Sequence, residues 1–125
     1  MAAARPALFV LNGKLYCVHR GHGNSADLWW CQFQGDQVDG RTNWSADNEF
    51  TQGNLSAAAP AAIEFNGIGC CVHRGGPDQH LVSNPHPYEH LWYCTFDGSS
   101  WSEDIQFAGG NLSRNGPALA VLNFS

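Results

Sequence analysis

The chain has 125 residues, with 6 Lys and Arg against 11 Asp and Glu, a net charge of −5, and only 14 % charged residues, below the roughly 25 % of an average globular chain. That length allows one domain with a modest core. An acidic chain whose only lysine is Lys14 excludes nucleic-acid binding by counterion release and a polybasic membrane patch. Its polarity comes from Asn, Gln, Ser, His and Gly, a surface suited to a neutral, hydroxyl-rich ligand.

Taken in order, the chain opens on an apolar run, Ala7–Leu11, stopped by Asn12-Gly13, a strong hairpin signal. A second strand is expected over Lys14–Arg20, a third over 28–33 and a fourth over 44–50. The same order then returns: Ala61–Phe65, the turn Asn66-Gly67, Ile68–Arg74, Leu91–Phe96, and 101–107. No stretch shows a helical period. The units differ mainly in loops, 21–27 against 75–90 between strands two and three, with the longer loop between strands three and four, through Asp36-Gln37-Val38-Asp39-Gly40, in the first unit. Variable loops on a constant strand frame imply a scaffold with an adaptable surface.

The repetition is close. Pro6-Ala7 returns as Pro60-Ala61 and as Pro117-Ala118. Cys17-Val18-His19-Arg20-Gly21 returns as Cys71-Val72-His73-Arg74-Gly75. Leu28-Trp29-Trp30-Cys31-Gln32-Phe33 matches Leu91-Trp92-Tyr93-Cys94-Thr95-Phe96. Trp44-Ser45-Ala46-Asp47 matches Trp101-Ser102-Glu103-Asp104, and Asn54-Leu55-Ser56 matches Asn111-Leu112-Ser113. Strand alternation puts Trp29, Cys31 and Phe33 on one face and Leu28 and Trp30 on the other. A sheet apolar on both faces must lie between neighbours, and four antiparallel strands in 40 to 50 residues is the size of a propeller blade.

The expected fold is therefore all-β, with two four-stranded propeller blades, about 6–59 and 60–116, and an extra terminal strand at 117–125. Two blades do not close a ring, since propellers have typically 4–8, so homo-oligomerisation is expected to complete it. A dimer gives four blades, a trimer six and a tetramer eight; the trimer is expected, because four blades leave little central room for bulky residues. First-strand sequence occurs three times for two blades, so one terminal copy is expected to pair across a subunit boundary. With no apolar run near the roughly 20 residues that span a bilayer and no signal-peptide pattern, membrane insertion is not expected, and the expected location is cytoplasmic or non-classically secreted. The Asn-x-Ser triplets at Asn43, Asn54, Asn111 and Asn123 then read as products of composition rather than glycosylation sites.

These repeats, Pro-Ala-Leu-x-Val-x-Asn-Gly, Cys-Val-His-Arg-Gly, Leu-Trp-Tyr-Cys-x-Phe-Asp-Gly and Trp-Ser-x-Asp, resemble the tandem-repeat β-propeller lectins of bacteria and fungi. That group includes the fucose-binding kind, some of which build a six-bladed ring from two-bladed chains. The resemblance spans nearly the whole chain in repeat architecture and extends to the sugar site only as a type. It implies a ligand between adjacent blades, held by an aromatic face and by Arg, Glu or His.

The candidate ligand-binding residues are His19, Arg20, Trp30, Trp44, His73, Arg74, Tyr93 and Trp101. An indole suits the apolar face of a pyranose, though alternating Trp and Phe serve a core equally. Arg offers five donors in a fork matched to vicinal hydroxyls, or it pairs with Asp47 or Asp104. His on a strand is more often a satisfied hydrogen bonder than a ligand. Asp47 and Asp104 are expected to accept backbone N–H groups at a turn. Five cysteines, an odd number, read as buried hydrophobes; Cys17–Cys31 and Cys71–Cys94 can bridge only if the register allows. The loop 75–90, with His80, His86 and His90, is expected to form a pocket rim rather than a metal site. No cofactor, metal or catalytic set is expected. The function expected is a multivalent, non-catalytic lectin whose partners are glycans or glycoconjugates. The alternatives are a propeller-type glycosidase-like or toxin-accessory protein, with His19 or His73 as an acid–base group, and a structural protein-interaction propeller.

Overall fold

The computed structural model describes residues 5–21, 25–35, 43–75, 90–113 and 116–120; the loop expected to form a rim falls largely outside them, as does most of the long first-unit loop. All regular structure among the described residues is β. The first sheet runs β1 (Ala7–Leu11), β2 (Lys14–Arg20), β3 (Leu28–Gln32) and β4 (Asn48–Glu49). The second runs β5 (Ala61–Phe65), β6 (Ile68–Arg74), β7 (Leu91–Phe96) and β8 (Ile105–Gln106). Every pairing is antiparallel between sequence neighbours.

The first hairpin of each sheet turns on Asn-Gly with both residues at positive φ, 52° and 76° at Asn12-Gly13 and 53° and 81° at Asn66-Gly67. That geometry matches the right-handed twist of the flanking strands. The fourth strands are shorter than expected. Trp44 and Trp101 make only single bridges, to Phe33 and Phe96. The reason is the serine that follows each. Ser45 Oγ accepts from Gln32 N and donates to the Ala46 carbonyl, and Ser102 Oγ does the same with Thr95 N and Glu103 O. A side chain thus takes a backbone partner, and the ladder is interrupted until Asn48 and Ile105.

The front face of the first sheet carries Phe9, Tyr16, Val18 and Trp30, and its back face Leu8, Val10, Leu15, Cys17, His19, Trp29 and Cys31. On the second sheet the front carries Ile63, Cys70, Val72 and Tyr93, and the back Gly69, Cys71, His73, Cys94 and Phe96. The front of the first packs on the back of the second, with β1 beside β5. Phe9 meets Tyr16, Phe96 and Trp101, and Trp101 is stacked between Phe50 and Phe96 with centroids 4.7 and 4.9 Å away. Gly69 makes this approach possible: a Cβ there would lie 2.9 Å from the Phe9 ring. The first unit has Leu15 at the equivalent position.

β1 pairs with its own β2. The third first-strand copy therefore falls outside both sheets: residues 116–120 belong to no ladder and lie beside β5, where Pro117, Ala118 and Leu119 line a hollow with Pro6, Pro60 and Ala61. Residues 121–125 of the expected terminal strand are not among those described.

Candidate functional site

Each Cys-x-His sits on the back face of its sheet. His19 Nδ1 lies 2.8 Å from the Arg20 carbonyl and Nε2 3.0 Å from Asp47 Oδ1. His73 repeats this at 3.0 and 2.8 Å with the Arg74 carbonyl and Asp104 Oδ1. Both partners of each ring are acceptors when Asp is ionised, a setting that favours the doubly protonated imidazolium. Burial pulls the His73 pKa down, but the hydrogen bond to Asp104, with Cys94 beside it, outweighs that and holds it well above the ordinary range. His19 shifts the same way, its partial burial outweighed by Asp47 and the Arg20 carbonyl. The carboxylates expected to cap a turn are thus engaged by histidine, because the chain after each Trp-Ser brings Asp back over strand two. Asn54 secures the second pair from the other unit, donating from Nδ2 to Asp104 Oδ1 at 2.7 Å and to the Ser102 carbonyl at 3.1 Å. Asn54 is itself buried.

The ligand atoms of His73, Cys94 and Asp104 lie within 4.8 Å of one another. The hydrogen bonds on both His73 nitrogens and on Asp104 account for that cluster as a core network. The thiols are paired across strands, Cys17 opposite Cys31 and Cys71 opposite Cys94. The bonds Phe33 N to Leu15 O and Gly75 N to His90 O mark these as hydrogen-bonded positions, where opposed Cβ atoms stand about 5.5 Å apart. A disulfide needs about 3.5–4.5 Å, and all five cysteines are free. Burial pushes the Cys31 thiol up to about 12. The bond to Cys71 and burial push Cys94 higher still.

A groove of about 400 Å³ opens between the sheets at their outer ends. Its floor is Trp30 of β3 and Trp101. One wall is Asp47, Asn48 and Glu49, and the other is Ser99 and Ser100. The second wall is shaped by Asp97, whose Oδ1 accepts the Ser99 and Ser100 N–H groups at 2.8 and 3.0 Å. The Ser100 and Ser99 N–H bonds hold that carboxyl below its usual range. Trp30 rests on Phe96, 5.0 Å between centroids, and Trp101 Nε1 is buried without a hydrogen-bond partner among the described residues.

Of the expected site residues, Trp30 and Trp101 line this groove, and His19 reaches it through Asp47. Trp101 is only 4 % exposed and belongs mainly to the core. His73 is fully buried. Arg20 and Arg74 are half-buried at the ends of β2 and β6, opposite Leu28 and Leu91, away from the groove lining. Trp44 packs on Phe33 and Tyr93 on Phe107, both on faces the other sheet does not cover. The groove also takes Asn48, Glu49, Ser99 and Ser100, which the repeat motifs do not single out. Their signal was divergence, since Asn48-Glu49 faces Ile105-Gln106 in an otherwise constant repeat.

No family model matches the chain, and neither the curated proteins nor the solved structures contain a match to it.

Proposed function

We propose that this chain is a non-catalytic carbohydrate-binding protein, a lectin, whose two sheets are blades of a β-propeller completed by further copies, with glycans held in the creases between blades. The groove carries this reading: an indole floor at Trp30, between a wall of Asp47, Asn48 and Glu49 and a wall of Ser99 and Ser100. An aromatic surface takes the C–H face of a pyranose, while acceptors and hydroxyls at the rim take its hydroxyl groups. Glu49 pairs opposite Trp29 on the back face and Asp47 is engaged by His19. The polar groups left toward Trp30 are therefore Asn48, Ser99 and Ser100, uncharged partners that favour neutral over sialylated or sulfated glycans. Several such grooves on one ring gain avidity on a glycan-coated surface.

Asp47 and Glu49, beside the groove, are the carboxylates a glycosidase-like second reading would use. Both stand open to water and Asp47 is tied to His19, whereas a general acid is seated against apolar groups. The test is a glycan array with purified protein, followed by Trp30→Ala. Binding to neutral glycans, weakened about tenfold or more by loss of the stacking surface, is the expected result. A blank array, or binding indifferent to Trp30→Ala, overturns the proposal; cleavage of a bound glycan moves it to the second reading.

A further inference from the structure

The geometry points to the contact by which copies join: the front face of the second sheet receives the back face of the first sheet of another copy, with Asn111 as its polar clamp. This deepens the ring reading above and does not depend on what the ring binds. The template is the contact inside the chain. There Phe9, Tyr16 and Trp30 cover Gly69, Cys71 and Phe96, and Asn54 reaches across to the Ser102 carbonyl and Asp104.

Residue for residue, the two open faces are the counterparts of the two that meet. Ile63, Cys70 and Tyr93 stand where Phe9, Tyr16 and Trp30 stand; Leu15, Cys17 and Phe33 stand where Gly69, Cys71 and Phe96 stand. Their volumes compensate. The internal contact sets large Phe9 and Tyr16 against Gly69, and the open faces offer small Ile63 and Cys70 for larger Leu15. That exchange keeps the total volume at the contact, which close packing requires, and it identifies the occupant as a second copy of this chain. Both faces are apolar and open: Phe65, Ile68 and Ile105 are 55, 46 and 49 % exposed on one, Leu8 and Val10 57 and 55 % on the other. The clamp repeats as well. Asn111 matches Asn54 and is exposed; Asp47 matches Asp104 and its side chain is 46 % exposed. Docking sets the Asn111 amide on Asp47 and the Ser45 carbonyl of the next copy, and covers His19–Asp47 as His73–Asp104 is covered now.

The seat is held in the isolated chain. Leu119 and Ala120 line a hollow with Ile63, Phe65 and Cys70. Pro117-Ala118-Leu119-Ala120 repeats Pro6-Ala7-Leu8-Phe9, so Leu119 stands where the incoming Leu8 belongs. This segment does not replace the incoming β1. Exchanging Phe9 for Ala120 would leave a ring-sized cavity among Tyr16, Phe96 and Trp101. The incoming copy keeps its β1, and 116–120 acts as a placeholder that assembly must displace.

Sedimentation of the full chain across a concentration series tests this. Wild type is expected to associate to a closed multiple of 13.6 kDa. Asn111→Asp, which sets a second carboxylate against Asp47, weakens association about tenfold or more, with the circular dichroism of wild type because position 111 is exposed. Adding Asp47→Asn to that variant restores amide against carboxylate with roles exchanged, and recovers association. Leu119→Asp loosens the placeholder and strengthens association severalfold. A single-chain mass at every concentration, an Asn111→Asp variant that associates like wild type, a double variant without recovery, or a Leu119→Asp variant that associates less overturns the inference. Glycan binding by a strictly single chain would sink this contact alone; assembly without glycan binding would sink the lectin reading alone.

Discussion

His19–Asp47 and His73–Asp104 share one sequence frame and one geometry, yet the side chains are 28 and 46 % exposed in the first pair and 0 and 5 % in the second. The whole difference is that the first sheet lies over the back of the second, while among the described residues nothing lies over the back of the first. Burial thus comes from a unit's place in the stack rather than from its own residues. It converts the same ion pair from a surface contact of small consequence into one whose disruption leaves a charge in the core.

The largest expected effect breaks the comparison directly. His73→Ala strands Asp104 in the core and is expected to destabilise the fold by about 3–5 kcal/mol, a large part of the total for a domain of this size. His19→Ala is expected to cost about 1 kcal/mol or less. Urea unfolding of the two variants measures both; equal losses would refute the assignment of burial as the cause.

A middle-sized effect is pH dependence. His73 is surrounded by Asp104, Cys94 and the Arg74 carbonyl, with Cys71 next to Cys94. In the unfolded chain its proton leaves near pH ~6.5, and in the fold only at about 10. A raised folded value contributes stability that is complete below the unfolded value and is lost as pH rises through the folded one. The thermal midpoint should therefore fall between pH ~6.5 and about 10, and His19→Ala should keep most of that dependence. A midpoint that is flat or rising over this range contradicts the buried imidazolium.

The smallest effect concerns the thiols. Cys17, Cys31 and Cys70 are half-buried, while Cys71 and Cys94 are buried. Alkylation of the native chain, read by mass spectrometry, is expected to modify the first three before the last two, which react only on unfolding. Labelling of Cys94 as fast as Cys31 would deny the difference between the sheets.

Much of this is legible in the sequence. Asn12-Gly13 and Asn66-Gly67 announced their hairpins because a tight turn with two positive φ angles accepts few other residues. Period-two alternation sorted Trp29 and Cys31 from Leu28 and Trp30 correctly. The short fourth strands were not legible, because Trp-Ser-x-Asp carries strand-like residues while its serines divert the ladder. The groove was only half legible: its indoles stood out, but Asn48-Glu49 and Ser99-Ser100 lie about half the chain apart.

By itself the sequence determined everything that depends on near neighbours: two copies of a four-stranded antiparallel unit, their turns, and two apolar faces on each. Turn geometry and strand alternation act over a few residues, so local chemistry suffices for them. Which faces meet, which His–Asp pair is dry, and which polar residues end beside Trp30 were decided only by the tertiary structure. Those outcomes turn on long-range volume matching, Phe9 over Gly69 above all, and a repeat cannot reveal from its own residues which of its copies lies on top.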